Sequence, residues 1–294
     1  RVFPLVPVEK QTDIYPVYTR GFFFADEGGR MVRAPGTRAA TTGFKVDNSN
    51  TYRALNYAIG VEIPDEIRQN QDLPYNMDRD AAILLSDLQK IRRERAFSSS
   101  FMTTGVWTGQ ADKTGGSDFT KWSDYAGSNP FSDIEDALDS VESATGRRPN
   151  KAVLGAIGWR RLKHHPDFID RINGGATPGG PAMLNVDILA GMLELDEILV
   201  SRASYRSSDE GATLALNRIV DDDLLLLYTP DTPSLMTPSA GYTFYWRPMT
   251  GGGIEFVRSG REERDRYDWH ESHSYFDQVA VEPLAGAFFA DCVD

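Results

Sequence analysis

The sequence predicts an α+β fold, and three features predict it. Short β-rich pieces broken by turn signals fill residues 21–58, and one long amphipathic helix follows at about 77–97. A middle segment then alternates helix with strand before a second β-rich region closes the chain after Pro238. With 294 residues, 40% of them hydrophobic, there is enough apolar material for one large domain or two ordinary ones. No run of about 18 apolar residues exists to cross a bilayer, so a soluble protein with no membrane partner is expected. The chain opens on Arg1 and not on Met, which fits either trimming or cleavage of a longer precursor.

Residues 1–20 are apolar and proline-marked with no helical period, which predicts an extended arm lying on something other than itself. In residues 21–58, Phe22-Phe23-Phe24, Met31-Val32, Phe44-Lys45-Val46 and Thr51-Tyr52 alternate with turns at Gly28-Gly29, Pro35-Gly36 and Asp47-Asn48. A long protruding hairpin is expected. It carries Arg30, Arg33, Arg38, Lys45 and Arg53 against Asp26, Glu27 and Asp47, a net +2 in a chain of net −12. A basic projection from an acidic body suits docking on an acidic neighbour of the same kind; the alternative is a solvated loop.

Ala81, Leu84, Leu85, Leu88 and Ile91 fall on one helical stripe, with Asn76 or Asp78 as N-cap, and polar, glycine-rich residues 98–130 follow as a loop or short hairpin. Ser132-Asp133-Ile134-Glu135 reads as a capping box opening a second helix that Gly146 closes. Ala152-Val153-Leu154 reads as a buried strand and Ile157 to Lys163 as a short helix ended by Pro166. Asn185 caps a further helix, Ile198 to Val200 and Leu224 to Leu227 are strand-like, and Tyr242–Trp246, Ile254–Val257 and Tyr275–Val281 form the closing strands.

Charge and motifs narrow the function. A net charge of −12 disfavours a dedicated nucleic-acid binder, because phosphate contact needs a basic stripe. A single cysteine, Cys292, excludes an intrachain disulfide and a cysteine-rich zinc site, and suits a small packed residue. No P-loop, dinucleotide-binding or nucleophile-elbow motif is present, and Gly251-Gly252-Gly253 precedes a strand, so it reads as a turn or bulge. His164-His165 sits at a helix C-terminus, where a cationic imidazole is favourable. Asp221-Asp222-Asp223 reads as a turn before Leu224, with a divalent-ion site as the alternative. Arg258, Arg261, Arg264 and Arg266 interleave with Glu262, Glu263 and Asp265, and pairs within or between subunits are both open.

One stretch, Asp268 to His273 (DWHESH), resembles a shortened zinc-protease motif, which makes a metal-assisted hydrolase using His270, Glu271 and His273 the enzyme alternative. The downstream aromatic and β-branched residues favour a strand, on which the two histidines would point to opposite faces about 10 Å apart. No metal, cofactor or catalytic residue is therefore assigned. Either histidine at a subunit contact would make assembly pH-sensitive.

The order of parts resembles the major capsid protein of tailed bacteriophages, in which an arm, an extended loop, a peripheral domain and an axial domain follow one another. The residues carrying the likeness are Trp122-Ser123-Asp124, Asn129-Pro130, Asp133-Ile134, Gly146 to Gly155, Trp159 to Pro166 and Ile198 to Ala203. The resemblance implies an arm at 1–20, an extended hairpin loop at 21–58, a peripheral domain at 59–130 and 238–294, and an inserted axial domain at 131–237. It implies a structural coat subunit that assembles through hexamers and pentamers into an icosahedral shell around a viral genome. Expected partners are other copies, portal, scaffold and cement proteins, and packaged double-stranded DNA by weak non-specific contact, with the virion as location. A nanocompartment shell enclosing cargo is the alternative within the same architecture. The inter-subunit candidates are Arg30, Arg33, Arg38, Lys45, Arg53, Arg258, Arg261, Arg264 and Arg266. The lysine-to-asparagine cross-link of some members has no matching motif, so no residue is assigned to it.

Overall fold

The computed structural model describes residues 2–18, 32–41, 43, 46–70, 76–108, 112–173, 184–234 and 237–294. In chain order the strands and helices are β1 (Leu5–Val8), β2 (Thr12–Ile14), β3 (Val17–Tyr18), β4 (Val46–Asp47), β5 (Thr51–Arg53), β6 (Leu55–Pro64), α1 (Asp65–Gln69) and α2 (Met77–Phe101). After β7 (Asp112–Thr114) come α3 (Pro130–Thr145), β8 (Lys151–Gly155), α4 (Ala156–Leu162), α5 (Pro166–Asn173), α6 (Val186–Met192), β9 (Glu197–Ser201), β10 (Ser204–Arg206), β11 (Leu216–Arg218) and β12 (Leu224–Leu227). The chain closes with β13 (Gly241–Trp246), α7 (Arg247–Thr250), β14 (Glu255–Glu262), β15 (Tyr267–Ala280) and β16 (Gly286–Ala290). No described helix is long and apolar enough to cross a membrane.

An inner sheet runs β7-β16-β12-β8-β9. Its centre is β12, four consecutive leucines that are all buried, because helices and loops cover both faces. Leu224 and Leu226 face one cluster with Leu154, Phe289, Ile134 and Leu138, while Leu225 and Leu227 face a second with Val153, Phe288, Phe97 and Phe101. A period of two thus splits one apolar run between two cores. Residues 286–290, grouped by sequence with the closing β-rich segment, are built into this inner sheet, since Phe288 and Phe289 supply large side chains to both cores.

An outer sheet is organised by the 14-residue β15. β13 and then β14 pair along one of its edges and β6 along the other, all antiparallel, while β1 adds to β13 in parallel. The long helix α2 links the layers: it lies over β15 and β6 and inserts Phe97 and Phe101 beneath the inner sheet. Asn76 caps it by accepting from Arg79 N–H at 3.1 Å.

Several expectations need correction. The arm does not lie elsewhere along its first residues. Phe3 is buried edge-on against Phe97 and Phe101, 5.4 and 5.0 Å between ring centres, and a β-carbon at Gly241 would come within 2.6 Å of its ring. The missing side chain at Gly241 makes room for this anchor. The second helix starts at Pro130, not at a Ser132 capping box: Asn129 accepts from Ser132 N–H at 3.2 Å, and Asp133 instead accepts from the Trp122 indole at 3.0 Å. Gly146 closes it in the left-handed region, φ 65°. The following short helix ends at Leu162, and Pro166 opens α5. In α2 the buried stripe is Ala81, Leu85 and Gln89, not one that includes Leu84, because Gln89 is fully used: it donates to Tyr57 O and Ser272 O (2.9 and 3.0 Å) and accepts from Ser274 Oγ at 2.8 Å.

Candidate assembly surfaces

The charged run between β14 and β15 divides by geometry. Arg261 stands directly opposite Asp268 in the ladder and binds it at 3.2 Å, Asp65 at 3.0 and 2.7 Å, and Glu263 at 3.1 Å. Arg68 binds the same Asp268 and also Asp78 at 2.6 Å, and the Asp78 carboxylate meets His270 Nε2 at 2.9 Å. These arginines hold Asp65 and Asp268 below the usual carboxylate range, chiefly by donating hydrogen bonds. The network fastens α1 and the start of α2 to the hairpin, so Arg261 is an internal clamp and not a free contact residue. Arg258, Arg264 and Arg266 are exposed. Arg258 sits over the Phe256 ring at 5.4 Å, while Arg266 takes a left-handed turn conformation, φ 54°, that lets its carbonyl accept from Asp65 N–H at 3.0 Å.

The basic projection begins on a ribbon. β2 pairs with β5 and β3 with β4, both antiparallel, so the chain leaves after Tyr18 and returns at Val46. Tyr52 of this ribbon stacks on Phe244, and Arg53 N–H donates to Asp277 Oδ2 at 2.7 Å, with the Arg53 side chain exposed. Arg33 and Arg38 lie exposed in irregular chain flanking a turn closed by Thr37 on Ala34 O, beside the exposed Val32. Arg30 and Lys45 lie outside the described residues.

A surface that the sequence stripe concealed lies on α2. Ile83 and Leu84 are 50% and 51% exposed, bracketed at helical spacing by Asp80 and Asp87. The bracketing aspartates were the available signal: a buried stripe would not carry them one turn away on either side.

The histidine motif does not converge. His270 and His273 lie on opposite faces of β15; His270 meets Asp78, whereas His273 meets Glu271 at 3.1 Å and stacks on Phe256 at 5.2 Å. Among the described residues no group of three His, Cys, Asp or Glu is arranged to hold a metal ion. His165 is likewise no surface cation. It is buried, bonded to Ser128 Oγ at 3.0 Å and accepting from Asp167 N–H at 3.2 Å, and burial pushes its pKa down. In the aspartate run, Asp223 accepts from Asp291 N–H at 3.0 Å and burial pushes Asp222 up to about 6. Cys292 is buried, with its thiol pushed up by burial.

No protein-family model matches the chain. It is 25% identical over 275 residues to the major capsid protein of Burkholderia phage BcepMu, covering 88% of this chain and 83% of that one. It is 27% identical to the major capsid protein of Pseudomonas phage JBD67, covering 99% and 90%. Among solved structures, a phage-related protein from Bordetella bronchiseptica matches with a TM-score of 0.72 at 19% identity, covering 99% of this chain and 90% of that one. The SrpI encapsulin of Synechococcus elongatus matches at 0.60 and 13% identity (100% and 86% covered), and the capsid of cyanophage P-SCSP1u at 0.57 and 11% (98% and 86%). The chain is similar to these phage major capsid proteins along most of its length and has the phage capsid fold.

Proposed function

We propose that this protein is the coat subunit of a phage capsid, assembling with its own copies through hexamers and pentamers into an icosahedral shell around the genome. The observation that carries the reading is likeness to two phage major capsid proteins along nearly the whole chain, on a fold matched end to end by capsid structures. Its work is structural. The acidic body, net −12, would repel packaged DNA more than hold it, leaving weak non-specific contact. The virion is its location, with assembly in the host cytoplasm and portal, scaffold and cement proteins as further partners. The encapsulin likeness supports a cargo shell as the second reading.

Within the shell, the basic hairpin of one copy seats on α2 of its neighbour, Val32 against Ile83 and Leu84, and Arg33 and Arg38 against Asp80 and Asp87. The chemistry matches in kind: an apolar residue flanked by cations meets an apolar pair flanked by anions. Electron micrographs of the purified protein are expected to show closed shells or capsomer rings; a dispersed monomer that hydrolyses peptides or esters would overturn the coat reading. Nucleic acid inside shells recovered from infected cells distinguishes capsid from cargo shell. Arg33→Glu with Arg38→Glu is expected to abolish shells while leaving circular dichroism intact, and adding Asp80→Arg with Asp87→Arg to restore them.

A further inference from the structure

Strand β6 is an open sheet edge of an unusual kind. Among the described residues it pairs only with β15, along its full length from Leu55 to Pro64. The phase of the ladder is fixed by Asp65 N–H donating to Arg266 O at 3.0 Å. Bonded pairs recur at every second residue of an antiparallel ladder. Leu55, Tyr57, Ile59, Val61 and Ile63 therefore turn their backbone groups toward β15. Asn56, Ala58, Gly60 and Glu62 turn theirs outward.

Exposed edges are normally blunted by charges, prolines or bulges, because a row of free N–H and C=O groups templates another strand. The opposite edge, β14, is likewise open among the described residues and obeys this: Glu255, Arg258, Arg261 and Glu262 make half of its eight residues charged. β6 does not. Its ten residues hold one charge, Glu62, and a proline only at the end, and Leu55 and Ile59 stand exposed on the face that α2 partly covers.

The strand is also self-complementary. Laid antiparallel against a second β6 with Ile59 opposite Ile59, Asn56 meets Glu62 and Ala58 meets Gly60 as hydrogen-bonded pairs. All four outward residues then find partners, giving about eight backbone hydrogen bonds without calling on Pro64. In the alternate, closer pairs Leu55 meets Ile63, Tyr57 meets Val61 and Ile59 meets itself, so every cross-strand contact on that face is apolar. No like charges oppose. A slip of one residue would pair outward groups with inward ones and lose the bonds.

We propose that β6 pairs with β6 of a second copy across a two-fold axis, antiparallel and centred on Ile59, so that one sheet runs through two subunits. The coat-subunit reading supplies only its setting, a shell in which copies meet at two-fold axes.

Ile59→Cys tests this directly. Cα atoms of a closer antiparallel pair lie about 4.5 Å apart, within disulfide reach, and the native Cys292 is buried. Under mild oxidation Ile59→Cys is expected to give about ten-fold more covalent dimer on a non-reducing gel than Ala58→Cys, whose side chain points to the other face and meets Gly60. Adding Ala58→Pro, which removes an outward N–H that β15 does not use, is expected to abolish the Ile59→Cys dimer with circular dichroism unchanged. Shells that form without the dimer, or equal dimer at both positions, would overturn the pairing and leave the coat reading standing. Dimer without shells would uphold the pairing and overturn the coat reading, and the absence of both would overturn both.

Discussion

The inner and outer sheets solve opposite problems with similar residues. Both carry leucine, valine and aromatic side chains, yet every leucine of β12 is buried while β14 and β6 keep Val257, Leu55 and Ile59 in solvent. The inner sheet is finished within one chain, because α3, α2 and the arm cover both of its faces. The outer sheet is covered by α2 along β15 but, among the described residues, is open at both margins. In the coat subunit proposed above, the first sheet would hold the fold and the second would offer its edges to neighbouring copies.

Single truncations should separate the two. Leu225→Ala, at 0% exposure in one core cluster with Phe97 and Phe288, leaves a cavity in that cluster and is expected to cost about 2–5 kcal/mol in denaturant unfolding of the free subunit. Val257→Ala, at 49% exposure, is expected to stay within about 0.5 kcal/mol. Equal costs would break the comparison. An intermediate effect belongs where the layers join: Gln89→Leu strips partners from Tyr57 O, Ser272 O and Ser274 Oγ at once, with an expected loss of about 1–3 kcal/mol in the same measurement.

Much of this was legible in the sequence, and what failed did so for physical reasons. The long helix, its Asn76 cap, the β12 leucines and the strand character of residues 268–273 follow from local period and capping chemistry. Leu84 was misplaced because a polar residue, Gln89, took the buried position by satisfying three partners from distant strands. The arm was misjudged because its anchor depends on Gly241, more than two hundred residues away. Arg261 looked like a contact residue because Asp65 and Asp268 become its neighbours only when β15 folds back. The open edge of β6 was invisible for the same reason: a strand's free side is a property of the sheet.

A pH effect again contrasts buried with open surface. Burial, then the neighbouring Asp223 and Asp291, pushes Asp222 up to about 6 from an ordinary 3.8. The folded chain thus holds a proton that the unfolded chain has released, so this group's stabilising contribution is complete below about pH 4 and is lost as pH rises through 6. His165 has the opposite sign: its depressed value makes its contribution complete above its ordinary 6.5 and lost as pH falls. Asp222→Asn removes only the first. Denaturant midpoints are expected to show the variant more stable than the parent at pH 7.5, by about 1 kcal/mol or less given the residue's partial exposure, with the gain shrinking toward pH 5. The His165 slope should persist in both chains. A gain independent of pH would mean that Asp222 is solvated like the open charges of β14, and that the margin of the inner sheet is less closed than its leucines require.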